Sequence, residues 1–219
     1  MPDETAPEEV CIATPSAGGR ARVVSIGEHE VRTTSREALK TAGIKNGVHM
    51  TPAVLDRLLA QVETEAASTR AMRLLGHRER SRAELRDRLT EDGYPEPVAR
   101  AVVDRMEELG LLDDERFAEA YVRTKMAAGW GRDRIVRGLT SAGLDPERIA
   151  VLVEQEMPET AELDRALTML PDEIPRERRD RERYMRRLIS RGFSYDIARR
   201  ALERRSDVAN SENRNRFES

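Results

Sequence analysis

The feature that most narrows what this chain can become is a glycine that returns at almost constant spacing. Leu85-x-x-x-Leu89-x-x-x-Gly93-Tyr94 is matched by Ile135-x-x-x-Leu139-x-x-x-Gly143-Leu144 and by Tyr184-x-x-x-Leu188-x-x-x-Gly192-Phe193, so the glycines stand 50 and 49 residues apart. Two large residues four apart make one stripe on a helix; a glycine then supplies the left-handed cap, and the large residue after it packs backward to close the turn. The chain restarts at Pro95 and Pro97, at Asp145 and Pro146, and at Ser194. The helices that follow carry Val98, Val102 and Val103; Ile149, Leu152 and Val153; and Ile197, Ala201 and Leu202. One further helix precedes each pair, with apolar faces at Ala71, Leu74 and Leu75, at Phe117, Ala120, Tyr121 and Val122, and at Leu163, Ala166, Leu167 and Leu170. Ser81-Arg82-Ala83-Glu84 opens a helix as a capping box, Gly129-Trp130-Gly131 closes one, and Pro171 and Pro175 stop another. The expectation is an all-α chain of three tandem three-helix repeats, elongated, with neighbouring repeats packing partly on one another because units this small are marginal alone.

The segment before the repeats reads differently. Residues 1–20 hold Pro2, Pro7, Pro15, Gly18 and Gly19 with several acids, and a disordered tail is expected there. Arg22 to Ile26 and His29 to Thr33, flanking Gly27-Glu28, predict a β-hairpin that would be marginal by itself. Ser35 caps a short helix over 36–42 that Gly43 ends, and Thr51-Pro52 starts a longer one with Val54, Leu55, Leu58, Leu59 and Val62 on one face. The expected organisation is a tail over 1–20, a small hairpin-and-helix extension over 21–66, repeats over 67–112, 113–158 and 159–205, and a disordered tail over 206–219.

Composition closes off several function classes. Only 4% of the 219 residues are aromatic, which disfavours sandwiches and barrels. Cys11 is the one cysteine and the histidines are His29, His49 and His77, too few and too scattered for a thiolate or histidine metal centre. Apolar stretches fall far short of the roughly 20 residues a membrane helix needs. The first residues are acidic where a secretory leader would be basic, so a cytoplasmic protein without membrane partners is expected. Asp113-Asp114-Glu115 invites a metal reading, but adjacent side chains on a helix diverge, and capping of the helix start explains them better. No glycine-rich phosphate loop or nucleophile–base pair can be singled out, so neither catalysis nor a cofactor is expected. Trp130 suits a stacking site or an ordinary core equally well.

Charge is the remaining signal. The formal total is −3, and of the 38 basic residues only Lys40, Lys45 and Lys125 are lysine. Residues 176–205 nevertheless hold twelve arginines against five acids, while residues 100–119 hold three against seven. Arg179, Arg183, Arg186 and Arg187 recur at helical spacing around Tyr184 and Leu188, a pattern that fits a basic face toward phosphate or an acidic protein, or a solvated face neutralised by Glu177, Asp180 and Glu182. Arg78, Arg80, Arg82 and Arg86 repeat the theme in the first repeat and Arg132, Arg134 and Arg137 in the second. These eleven arginines are the candidate partner- or DNA-binding residues.

The combination Ala71-x-x-Leu74-Leu75, Ser81-Arg82-x-Glu84-Leu85-x-x-Arg88-Leu89, Gly93-Tyr94 and Leu109-Gly110-Leu111-Leu112-Asp113-Asp114-Glu115-Arg116-Phe117-Ala118-x-x-Tyr121-Val122 resembles the RecX family of regulatory proteins. Gly131-x-x-Arg134-Ile135 and Gly143-Leu144 extend the resemblance, which runs from about 70 to 204 and loosens in the third repeat. It implies a modular helical protein that lies in the groove of the RecA recombinase filament. Such a protein inhibits strand exchange, ATP hydrolysis and co-protease activity, and so modulates recombination, DNA repair and the SOS response. The implied partners are the RecA filament and the single- or double-stranded DNA within or beside it, met by a monomer. A free-standing helical DNA-binding protein is the alternative.

Overall fold

The computed structural model describes residues 6–15, 19–172 and 178–217, the last eleven by their backbone alone. The expected stop at Pro175 and the neutralising Glu177 lie outside the described residues. The chain divides into two compact units, residues 1–114 and 115–219.

The first unit opens with strands β1 (Glu8–Ala13), β2 (Ala21–Ile26) and β3 (His29–Ser35), then helix α1 (Arg36–Thr41) and the two-residue strand β4 (His49–Met50). They form one antiparallel sheet in the order β3-β2-β1-β4. The expected tail is therefore corrected at Glu8–Ala13, since β1 lies inside the sheet with ladder partners on both sides; residues 1–5 and 16–18 lie outside the described residues. The signal was a short period-two pattern: Val10 is buried and Ile12 half-buried between exposed neighbours. Four strands also cure the weakness of an isolated hairpin.

Helix α2 (Pro52–Leu75) starts where Thr51 accepts a hydrogen bond from the Val54 amide and runs through the expected boundary at 66/67. Nothing between Glu63 and Arg70 breaks a helix, and Ala66, Ala67 and Ala71 turn small side chains toward the core. The extension and the first repeat consequently share one core. Val10, Val24 and Ile26 of the sheet cluster with Leu55 and Leu59 of α2, with Leu85 and Leu89 of α3 (Arg82–Glu91), and with Val102 and Met106 of α4 (Glu96–Glu108). A buried polar joint ties sheet to helix: Glu63 on α2, 2% exposed, accepts from the Arg32 guanidinium at 3.0 and 3.1 Å and from the Thr34 hydroxyl at 2.7 Å. At the turn after α3, Gly93 has φ +100°, and a β-carbon there would collide with the Thr34 carbonyl oxygen, so the turn seats directly on β3.

The second unit holds two three-helix groups. Helices α5 (Asp114–Ala127), α6 (Arg132–Ser141) and α7 (Pro146–Glu156) enclose Phe117, Val122, Ile135, Leu139, Ile149 and Val153. Helices α8 (Glu159–Thr168), α9 (Arg178–Arg191) and α10 (Tyr195–Phe217) enclose Leu163, Ala166, Tyr184, Leu188, Phe193 and Ile197. Each large pair that defined the sequence repeat is buried. The two groups meet through glycine: the Gly131 amide donates to the Arg191 carbonyl at 2.8 Å and the Asp133 amide to the Gly192 carbonyl at 3.0 Å. A β-carbon on either Gly131 or Gly192 would strike the opposing chain. The disordered tail expected over 206–219 is corrected as far as Phe217, because the α10 backbone stays helical to that residue and residues 206–217 contain neither proline nor glycine to stop it; residues 218 and 219 lie outside the described residues.

Candidate interaction faces

The candidate arginines fall into distinct situations, set by the helix position each one occupies. In the first unit they are largely spent on the fold. Arg82 reaches Asp104 at 2.6 Å and Glu107, both on α4, so it clamps α3 to α4. Arg78 pairs with Glu84 at 2.8 Å and Arg86 with its neighbour Asp87 at 3.0 Å. Arg80 is half-buried with its Nε lacking a hydrogen-bond partner, and burial, then the nearby Arg78 charge, lower its pKa.

Arg132 repeats the clamp in the second repeat, reaching Glu154 on α7 at 2.6 Å. The guanidinium of Arg134 lies 3.8 Å from the centroid of the half-buried Trp130, whose ring also has the Lys125 ammonium at 4.7 Å. The indole packs against the core of its repeat and is covered by two cations, which leaves little of it for stacking on a base. Arg137 is exposed and has no ion-pair partner among the described residues.

Helix α9 differs. Tyr184 and Leu188 are its buried residues, and Arg179, Arg181, Arg183, Arg186 and Arg187 are all exposed. Seven arginines share α9 with two acids, Asp180 and Glu182. Glu182 is held by Arg178 at 2.8 Å, and Asp180 lies 3.7 Å from Arg183, whose guanidinium also bonds the Tyr184 hydroxyl at 3.1 Å. Arg186 donates to the Glu182 carbonyl at 3.3 Å, while Arg179, Arg181 and Arg187 have no carboxylate partner among the described residues. Among the described residues Asp180 and Glu182 thus neutralise only part of this face, and the remaining guanidiniums are exposed.

The sequence reading missed a groove beside this face. Arg181, Met185 and Arg186 of α9 and Tyr195 and Arg199 of α10 line an open cleft of about 580 Å³. Tyr195 is 65% exposed, the most open of the large apolar side chains among the described residues. Arg199 is bound to Asp196 at 2.7 Å and to Glu203 at 3.0 Å, so Arg181 and Arg186 are the cations that remain available. The hydrogen bond from Arg199 is the main cause holding Asp196 below the usual carboxylate range.

Asp114 adopts an unexpected role. Its Oδ1 accepts from the backbone N–H of Arg82 at 2.8 Å and so caps α3. Glu162 does the same for α6, its Oε1 accepting from the Arg132 N–H at 2.9 Å. Glu162 is 3% exposed, and burial raises its pKa. Its neighbour Arg165, whose pKa burial lowers, donates to the Trp130 carbonyl. Among the described residues no cluster of histidine, cysteine and acids could hold a metal ion, and no helix is long and apolar enough to cross a membrane.

Residues 67–106 match the first three-helix domain of RecX and residues 113–150 the second. A regulatory protein RecX of Mycobacterium sp. strain JLS is 39% identical over 144 residues, covering 61% of this chain and 78% of that one. That of Chromohalobacter salexigens is 36% identical over 148 residues, covering 64% of this chain and 95% of the relative. Two solved structures share the fold. A regulatory protein RecX has a TM-score of 0.56 at 16% identity, over 90% of this chain and 99% of that one. RecX from Lactobacillus salivarius has a TM-score of 0.57 at 21% identity, over 65% and 96%.

Proposed function

This chain belongs to the RecX family of regulatory proteins, and on that premise we propose that it binds the RecA recombinase filament on DNA and restrains its strand exchange, ATP hydrolysis and co-protease activity. In this reading it acts in the cytoplasm as a monomer, without catalysis of its own, and limits recombination, repair and the SOS response. The observation that carries the reading is the arginine face of α9, where Arg179, Arg181 and Arg187 have no ion-pair partner among the described residues, on a helix whose other side is anchored in the core. Guanidinium groups bind phosphate oxygens and carboxylates through paired hydrogen bonds, and both are abundant in a protein filament wrapped on DNA. Several modest contacts from successive repeats add through high effective concentration, so no single repeat needs to bind tightly. The first and third repeats would grip neighbouring protomers, with the third nearest the DNA.

The test is RecA ATPase and strand exchange with the chain carrying Arg183→Glu, Arg186→Glu and Arg187→Glu together. The expected outcome is loss of inhibition with an unchanged circular dichroism spectrum and melting temperature; full inhibition by this variant sinks the assignment.

A second reading is independent DNA binding. It is favoured by the cleft in which exposed Tyr195 stands beside Arg181 and Arg186, a combination suited to stacking a base while holding its phosphate. It requires tight binding to DNA without RecA, with an affinity that falls steeply with salt. Filament inhibition at concentrations too low for such binding decides for the first reading.

A further inference from the structure

The first unit contains a second concentration of arginine, in a place that neither the sequence pattern nor the filament reading uses. A pocket of about 250 Å³ opens between the start of β2, α1, α2 and the Gly93 turn. Ala66, Ser35 and the buried Tyr94 contribute to its lining. Its walls bring together Arg20, Arg22, Arg36, Arg70 and Arg73, against two carboxylates, Asp92 and Glu37.

Asp92 neutralises this set only in part, pairing with Arg70 and, at the limit of an ion pair, with Arg20. It is 4% exposed, and its Oδ2 takes the Arg70 Nε at 2.6 Å. Its Oδ1 has no hydrogen-bond partner among the described residues and lies 3.4 Å from Arg88 and 4.0 Å from Arg20. Arg22 is turned onto main-chain carbonyls of its own segment, Ala21 at 2.6 Å and Arg20 at 3.1 Å, which fixes its guanidinium at the wall. Arg36 and Arg73 are exposed at the rim and have no ion-pair partner among the described residues. Like charges gathered in a concave site repel one another, and an anion that enters relieves that repulsion while gaining charge-assisted hydrogen bonds in a partly dehydrated setting.

We propose that this pocket is a phosphate-binding site, with Arg36 and Arg73 as the principal ligands and Arg20 and Arg22 completing the cationic wall. Its volume exceeds what one phosphate group needs, so the phosphate is one carried on a nucleotide or at the 5′ end of a nucleic-acid strand. The buried Asp92 Oδ1, close to Arg20 and short of a donor, would accept from a hydroxyl or amino group of that ligand. The proposal rests on the first unit alone and stands or falls apart from the filament reading.

Isothermal titration of the full chain with inorganic pyrophosphate, with dAMP, and with two oligonucleotides that differ only in a 5′-phosphate tests it. Arg36→Gln combined with Arg73→Gln is the variant, both changes lying on exposed side chains that leave the core intact, and Arg137→Gln is the control. Saturable binding of pyrophosphate and dAMP is expected, weakened roughly tenfold or more in the double variant and unchanged in the control. Tighter binding of the 5′-phosphorylated oligonucleotide assigns the site to strand ends, and equal binding of the two assigns it to free nucleotides. Absence of saturable binding to either small ligand, or binding that survives in a folded double variant, overturns the proposal.

Discussion

The first repeat and the α9 face of the third are both rich in arginine along the chain and differ in what surrounds each guanidinium. Arg82 bridges two acids of α4 and Arg78 and Arg86 lie against acids of their own neighbourhood, so the charge is consumed where it arises. On α9 the two acids hold Arg178 and Arg183, and Arg179, Arg181 and Arg187 have no carboxylate partner among the described residues. The lesson is that arginine count reports on neither stability nor binding until the carboxylates across the helix pair are placed. Arg82 and Arg132 look like recognition residues on a helical wheel and act as clamps between adjacent helices.

The contrast is best attacked first at the turns that position these helices. Gly93→Ala and Gly192→Ala each force a side chain into a left-handed backbone and against a neighbouring main chain, and each is expected to cost roughly 2 to 4 kcal/mol. Native-state hydrogen exchange should locate the loss of the first in residues 1–114 and that of the second in residues 115–219. A cost below about 1 kcal/mol would mean that the turns yield and that their helices are not rigidly placed. Next in size, Arg82→Gln should cost about 1 kcal/mol in chemical denaturation, since it removes two partly exposed ion pairs. Arg187→Gln should stay within about 0.5 kcal/mol. Equal effects at the two positions would erase the distinction between clamp and free face.

The smallest effect expected is one of pH. Burial raises the Glu162 pKa, so the stability linked to its neutral form is complete below the ordinary glutamate value of about 4.3 and is lost as pH rises through the raised value. An amide in place of this carboxyl does not titrate. The melting temperature of Glu162→Gln should therefore gain on that of the parent as pH is raised from about 4 toward 7, and parallel curves would refute the assignment.

Much of the architecture was legible because it depends on local rules. Glycine caps, the Ser81, Thr51 and Asp145 starts, and the four-residue spacing of large apolar side chains each have a consequence within one turn of helix. What was hidden depends on partners far along the chain. Strand β1 is six residues between prolines and gains its order by pairing with residues 23–26 and 49–50. The joint of Glu63 with Arg32 and Thr34 spans about thirty residues, and no periodicity announces it. At the candidate faces, helical spacing correctly gathered Arg179, Arg183, Arg186 and Arg187 on exposed positions of α9. It could not reveal that Tyr195 and Arg181 share a cleft, because that juxtaposition is made by the packing of α10 on α9.

The two borrowed caps give the chain a direction. The Arg82 amide is satisfied by Asp114 and the Arg132 amide by Glu162, 32 and 30 residues further on. As the polypeptide leaves the ribosome, α3 and α6 each gain this further cap only once the start of the following repeat has emerged. Synthesis runs forward while fastening runs backward, and each of the first two repeats is finished by its successor.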